Sequence, residues 1–500
     1  MGGWELTQAP PGQGSYVLAS WLFLRFLGVI YLAAFVSLAR QIKGLIGRDG
    51  ILPAANFLDL RAHRGINRFH QLPTLCWFNS SDGFLLFLAW GGAALALLLI
   101  IGFAPVLVLV LLWVFYLSLF TVCRLFLGYQ WDILLLEMGF LAIFLASLEA
   151  TPHLPGSTAP PRVILWLFWW LLFRLMFSSG IVKIRSGDAT WRNFTALYFH
   201  YETQPLPTPI AWHAHQLPSR VHRISTVIML AIEIVVPCFI FGVPGDRHVI
   251  SLLFIILMVL IQLSGNYCFF NLQGIALSIL LLDDRFLAPV FQVAIPSLKL
   301  PLQVAPAPLW MNWLSVLVCI IIITLSVEAM ARLFRAIVAW PNWLLRYFNW
   351  LAPFNLVNSY GLFSVMTTER PEIIVEGSAD GTEWKPYEFR WKPGDVKRRP
   401  RFAAPHQPRL DWQMWFAALG YYQNNSWLEC FLEKLLAASP DVLSLLMTNP
   451  FPNQPPRYVR AILYDYRFTD RATRRATGAW WRRERRGAYS PIVSNDMGSE

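Results

Sequence analysis

FLLFLAWGGAALALLLIIGFAPVLVLVLLWVFYLSLFTVC (84–123) runs for forty residues without one Asp, Glu, Lys or Arg. A helix needs roughly 20 apolar residues to cross about 30 Å of hydrocarbon, so this stretch is two such lengths laid end to end. The two lengths fall at about 84–103 and 105–123. Segments of the same kind recur outward from it at about 17–39, 131–148, 163–184, 224–243, 249–265, 269–282 and 313–333. The sequence therefore predicts a polytopic α-helical membrane bundle of about nine spans. The first segment is too long for a cleavable signal peptide, carries Arg25 in its middle and follows no basic run.

Composition agrees. Of 500 residues 56% are hydrophobic and only 14% charged, against about 25% charged in a typical soluble protein. Disorder, a collagen-like fibre and a disulfide-stapled secreted module are excluded. Lys and Arg number 41 and Asp and Glu 30, giving 41 − 30 = +11. That excess sits mainly in the tail behind the apolar runs, so the partner it implies is the lipid bilayer and not nucleic acid. Six cysteines without a CxxC pair predict neither a disulfide framework nor a zinc site, and no thiol–disulfide catalysis.

Gln262, Ser264, Gly265, Asn266 and Tyr267 interrupt one long apolar stretch and read as a turn at the membrane interface, with a helix broken inside the membrane as the alternative. Residues 40–83 interleave six basic residues, among them Arg64, with Ile51, Phe57 and Leu60, as an interfacial amphipathic segment does. Residues 185–223 are rich in aromatics and histidines, as loops at headgroup depth are. The domain reading is a transmembrane part over 1–333, an interfacial connecting helix over 334–360 and a small soluble α+β domain over 361–490. Within the last, strands are expected at 362–367, 372–376, 387–391 and 458–468, helices at 411–420, 427–438 and 442–447, and a basic run at 471–486.

A charge at mid-bilayer costs at least about 2.5–3.5 kcal/mol, yet Arg25, Asp132, Glu137, Arg174, Lys183 and Glu233 sit in or at the ends of spans. Three are basic and three acidic. They read as internal ion pairs, or as a buried polar site, with Lys183 near enough to a span end to snorkel. Glu137 and Arg174, both deep in their segments, are the pair to expect first. His200, His213 and His215 with Glu202 suggest a metal, but Pro205, Pro207, Pro209 and Pro218 mark a loop and a zinc site needs more, so neither metal nor cofactor is expected. His63 and His70 are weaker still. No phosphate loop, serine elbow or HExxH helix occurs. In the tail Trp412, Trp415, Trp480 and Trp481 read either as core or, with Arg482 and Arg483, as a protein-contact surface.

The blocks RFLGVIYLAAFVSLARQIKGLIGRDGILPA (25–54), LLLEMGFLAIFLA (134–146), SGNYCFFNL (264–272), PHQPRLDWQMWFAALG (405–420), NPFPNQPPRYVRAILYDYRFT (449–469) and GAWWRRERRGAYSPIVS (478–494) resemble the lipase maturation factor family. So does the long run from Arg174 to Pro218, and the likeness covers nearly the whole chain in order. The resemblance implies a non-enzymatic endoplasmic reticulum membrane protein that helps lipases reach their assembled, active form, with the C-terminal domain meeting the client. It also implies distant kinship with the membrane half of vitamin K-dependent γ-carboxylase through Gly180, Lys183, Trp191 and Tyr198, and hence the rival reading of an integral-membrane enzyme with a polar site. Bacteria carry relatives, and the Met-Gly-Ser-Glu ending holds no retrieval signal, so a bacterial inner membrane stays open as the location.

About nine spans put the termini on opposite faces and the loops 40–83 and 185–223 on the face of the tail. The positive-inside bias would then make that face cytoplasmic; the resemblance implies that it is lumenal. Sequons at Asn79, Asn193 and Asn424 offer a readout.

Overall fold

The structure is a computed structural model, which describes residues 15–62, 68–152, 158–294, 305–336 and 338–494. His63 and Arg64 lie outside the described residues.

The deciding stretch forms two helices. Ser81 accepts from the Phe84 amide and Asp82 occupies the first turn of one, which ends at Gly102 with φ 86°; Pro105 opens the next. Capping side chains and a left-handed glycine satisfy the end groups that a helix leaves unpaired. In chain order the bundle helices are α1 (Val17–Ala39), α2 (Asp82–Ile101), α3 (Pro105–Val122), α4 (Gln130–Leu145), α5 (Arg162–Arg185), the short α6 (Ala196–Thr203), α7 (Ser219–Ile234), α8 (Pro244–Ser264), α9 (Phe270–Ile279) and α10 (Leu309–Leu333). Among the described residues seven helices are long and apolar enough to cross a membrane: α1, α2, α3, α5, α7 with its 3-10 extension, α8 and α10.

The two remaining expected spans are shorter than a helix that crosses a membrane on its own. Residues 131–148 give a 16-residue helix, α4, and 269–282 a 10-residue one, α9. Both are packed inside the bundle, so their polar groups find protein partners in place of lipid. Asn271 donates to Gln262 Oε1 at 2.8 Å, Gln273 to the Trp131 carbonyl at 2.9 Å, and Ser251 to the Ser278 carbonyl at 2.8 Å. These contacts fold α9 back along α8, with the turn at Gly265–Phe269.

Contacts also fix which end of the bundle each helix reaches. At one end Ser15 donates to Asp284 and Trp169 to the Leu280 carbonyl, while Leu145, Pro308 and Arg25 share a cleft. At the other, Gln41 meets Gln407, Trp415 meets Thr203, the Tyr267 ring lies 6.1 Å from that of Trp412, and Arg185 meets Phe334. Short as they are, α4 and α9 run between these ends, and the loops 40–83 and 185–223 share the end that carries the tail.

Beyond the bundle α11 (Asn342–Leu351) exposes Trp343 and Trp350. The tail folds into β1 (Arg370–Ser378), β2 (Lys385–Pro386), β3 (Glu388–Phe389), α12 (Arg409–Ala418), α13 (Ser426–Leu436), β4 (Leu446–Thr448), β5 (Tyr458–Phe468), α14 (Arg471–Thr477), β6 (Trp481–Ala488) and β7 (Val493–Ser494). The main sheet is antiparallel in the order β2-β1-β5-β6, with β7 also on β5; β1 and β5 pair from Arg370↔Tyr466 to Ser378↔Tyr458. Three expectations fail here. The helix expected at 442–447 is a single turn at Pro440–Leu443, and Leu446 already belongs to β4. Residues 362–367 form no strand but pass along the bundle. The basic run is an N-capped helix, with Asp470 accepting from Thr473, followed by an edge strand whose register runs Phe468↔Trp481 and Tyr466↔Arg483. Charged side chains on an edge strand guard against sheet-to-sheet pairing.

The tail does not stand free in water. One apolar core runs from Phe23 and Phe35 through Trp131 into Trp412, Phe431, Ile373 and Val459. Apolar burial of that extent, at roughly 25 cal/mol per Å², makes the domain part of the same body as the bundle.

Candidate functional site: a charged seam beside a cavity

PHQPRLDWQMW (405–415) begins with residues that do not suit a helix interior and continues with residues that do. The first half lies on the bundle as an extended arm and the second becomes α12. Gln407 donates its amide to Ser37 Oγ at 2.8 Å, and Gln41 reaches back to the Gln407 carbonyl at 2.7 Å. Arg409 grips Asp132 through both nitrogens, at 3.1 and 3.0 Å, and both residues are fully buried. Tyr116 donates to the same carboxylate at 2.5 Å. Forked guanidinium–carboxylate pairing of this kind gives direction as well as strength. Trp412 meets Trp131 edge-on at 4.8 Å, Gln413 donates to the Leu125 carbonyl and Trp415 to that of Thr203 at 3.0 Å.

The expected pair Glu137–Arg174 is present and buried. It is also completed from outside the bundle. Tyr360 donates to Glu137 at 2.6 Å and the Asn358 amide at 3.0 Å, while Arg174 donates to the Asn358 carbonyl at 3.1 Å. A buried pair stabilises only when its remaining hydrogen-bonding capacity is met; here the segment after α11 supplies three of those bonds, while Arg174 Nε stays without a partner.

Lys183 does not snorkel. It is 5% exposed and its ammonium lies 2.7 and 2.6 Å from the two oxygens of Glu233, because α5 and α7 approach closely at Gly180. This third pair lines a cavity of about 560 Å³ among α5, α6, α7 and α8. His200 lies in its wall, 3.1 Å from the Tyr267 hydroxyl, which in turn donates to Gln204 at 2.8 Å. Burial, with the Lys183 charge nearby, pulls the His200 imidazole down to about 4, so it is neutral near pH 7. Phe363, from the segment entering the tail, packs edge-on against His200 at 5.0 Å.

Among the described residues the other five candidate charges are each ion-paired, and Arg25 is placed differently. It lies at the C-terminal end of α2, donating to the Leu99 carbonyl at 3.4 Å and covering the Trp21 ring, where the helix dipole favours a cation. In the tail, the contact-surface reading is corrected for the four tryptophans. Trp412, Trp415, Trp480 and Trp481 are all buried. Trp480 meets Trp212 of the 185–223 loop, with Arg474 over both rings, and Trp481 stacks on Phe468 beneath Arg370. Arg482 and Arg483 remain exposed. His213 and His215 lie on a short helix, His215 3.8 Å from Glu202, and no cluster with metal-ligand geometry occurs among the described residues. All six cysteines are free thiols.

Sequence reading missed Arg409, Asn358 and Tyr360, and with them the buried cluster Arg370–Glu372–Lys392, in which Glu372 meets Arg370 at 2.7 Å and Lys392 at 3.0 Å. Arg370 also donates to the Glu202 and Pro205 carbonyls, holding the sheet on the 185–223 loop. The available signal for Arg409 was a lone arginine inside an otherwise aromatic run.

These features define a class: an integral-membrane helical bundle on which an α+β domain is seated by buried ion pairs. The lipase maturation factor transmembrane domain matches residues 18–289, and the lipase maturation factor C-terminal domain matches 356–491. The chain is 37% identical to Lipase maturation factor 2 of Gallus gallus over 95% of its length and 81% of that protein. It is 36% identical to Lipase maturation factor 1 of Homo sapiens (96% and 88%) and of Bos taurus (97% and 93%). The chain belongs to the lipase maturation factor family. No solved structure matches it.

Proposed function

We propose that this protein is a membrane-anchored maturation factor that helps secreted lipases fold and assemble into active form, without catalysing a reaction itself. The observation that carries the reading is similarity along nearly the whole chain to proteins named for lipase maturation. This reading puts the protein in the reticulum membrane with the seated domain on the lumenal face, where a secreted client folds. In this reading the unit over 361–490 meets the client and covers its apolar surface until subunits pair, which keeps exposed intermediates from aggregating. With Trp412, Trp415, Trp480 and Trp481 committed to the core, the exposed groups proposed to meet the client are the arginine row of β6 and, beyond α12, Phe416, Leu419 and Tyr421, which are 45%, 42% and 77% exposed.

The test is point substitution and not truncation, because removing the tail would leave Asp132 buried without Arg409. Tyr421→Ala with Arg482→Glu and Arg483→Glu is expected to lower secreted lipase activity in cells at unchanged protein level and melting temperature. Full lipase activity from that variant would overturn the placement of the client surface. The rival reading, an integral-membrane enzyme, draws on the Lys183–Glu233 pair and His200 beside the cavity. It requires that Lys183→Met/Glu233→Met, which removes both charges together, abolish lipase maturation at unchanged protein level; the maturation reading expects it to be tolerated.

A further inference from the structure

The 560 Å³ cavity is not used by the seam, and covering a client does not require it. Its volume is within the roughly 300–1,000 Å³ that encloses a small-molecule ligand. Most of its wall is apolar, from Leu175 and Met176 on α5 across Met229 and Ile232 on α7 to Leu257 and Ile261 on α8. Ile228, Ile256 and Leu260 also line it while being 54%, 46% and 58% exposed on the outer flanks of α7 and α8. Those flanks belong to helices that cross the membrane, so the cavity communicates with hydrocarbon and a ligand arrives from the bilayer.

The polar end sets the charge of the ligand. Glu233 uses both oxygens on Lys183, so the pair is neutral as a whole and leaves one ammonium N–H for another acceptor. His200 and Tyr267 stand in the same wall. A carboxylate or phosphate head would be buried there without a free counter-charge, which is costly. Hydroxyl and carbonyl groups meet donors and acceptors of their own kind.

We propose that this cavity binds an uncharged single-chain lipid, its alkyl tail among the aliphatic side chains of α7 and α8 and its hydroxyl or ester head against Lys183–Glu233, His200 and Tyr267. Binding is measurable without any client, so it stands or falls apart from the maturation reading.

The test uses the full chain in phosphatidylcholine nanodiscs with two photoactivatable probes of equal chain length, a monoacylglycerol and a fatty acid. The monoacylglycerol is expected to label peptides within 225–264, and excess unlabelled monoolein, but not oleate, to remove the label. Leu257→Trp fills the cavity from a buried wall position and Ile256→Trp blocks its mouth from a half-exposed one. Each is expected to cut labelling about tenfold. Should Leu257→Trp fail to fold, Ile256→Trp decides alone. Glu233→Gln, which frees the Lys183 charge, is expected to turn the preference toward the fatty acid. Monoacylglycerol labelling that survives the tryptophan variants overturns the site. Equal labelling of the wild-type chain by both probes overturns the uncharged head.

Discussion

Glu137 accepts from Arg174 within the bundle and from Asn358 and Tyr360 outside it. Replacing it with alanine strands a guanidinium where water does not reach, which typically costs about 3–5 kcal/mol. Glu137→Ala/Arg174→Ala is expected to cost less than the sum of the two single changes, read by thermal unfolding in detergent; strict additivity would mean the two are not coupled. Gly361 has φ 152°, and a Cβ there would lie 2.5 Å from Val182 Cγ2, so Gly361→Ala is expected to lower the melting temperature by about one degree for each 1 kcal/mol lost in a chain of this size. His406 sits 2.9 Å from Ser37 Oγ, and burial, with Arg409 beside it, draws its imidazole down to about 4 from 6.5. The folded state therefore binds this proton less readily than the unfolded one. Stability is full above pH 6.5 and falls between 6.5 and 4. His406→Asn is expected to flatten that part of a stability-against-pH curve. Glu137–Arg174 was legible in the sequence because both residues lie deep in apolar segments. Asp132 was flagged as a charge in need of a partner, but Arg409 lies 277 residues away and no local spacing could join them.

Among elements, α12 decides whether the tail stays seated. Arg409→Ala removes both bonds to Asp132 and is expected to expose the segment between α11 and β1 to protease at temperatures where the wild type resists. Asp132→Asn in the same chain should restore part of the resistance, since a neutral group is less costly to bury unpaired. Equal protease resistance in wild type and Arg409→Ala would show that the arginine does not hold the helix down. β6 offers the contrast. Its arginines are exposed, so Arg482→Glu is expected to change stability by no more than about 0.5 kcal/mol. Strand β5 was legible because Tyr458–Phe468 is β-rich and bounded by turn residues. β6 was not, because five charged residues in a row carry no alternation and read as a solvated run. α9 was misjudged for a related reason: its length is set by neighbours that cover it, and apolar character alone does not say whether those neighbours are lipid or protein.

For the whole molecule, the bundle was legible from hydropathy, while the seating of the tail was not, since it depends on side chains far apart in sequence meeting in one core. That seating orders the surface. Asn79, Asn193 and Asn424 are all exposed and belong to the end of the bundle that carries the tail. Expressed in a eukaryotic cell, the three sequons are expected to respond alike, all reachable by the lumenal glycosylation machinery if that end faces the lumen. Glycans on some with cytosolic labelling of the others would break the path of the chain described above. The most direct measurement concerns the contact between loop and tail at Lys43 and Asp441, 2.8 Å apart and partly open to solvent. With the native cysteines replaced, Lys43→Cys/Asp441→Cys is expected to cross-link rapidly with a short bismaleimide in native membranes, and Arg409→Ala to slow the reaction. Failure of the pair to cross-link while each cysteine alone reacts freely would mean that the C-terminal domain is not held on the bundle.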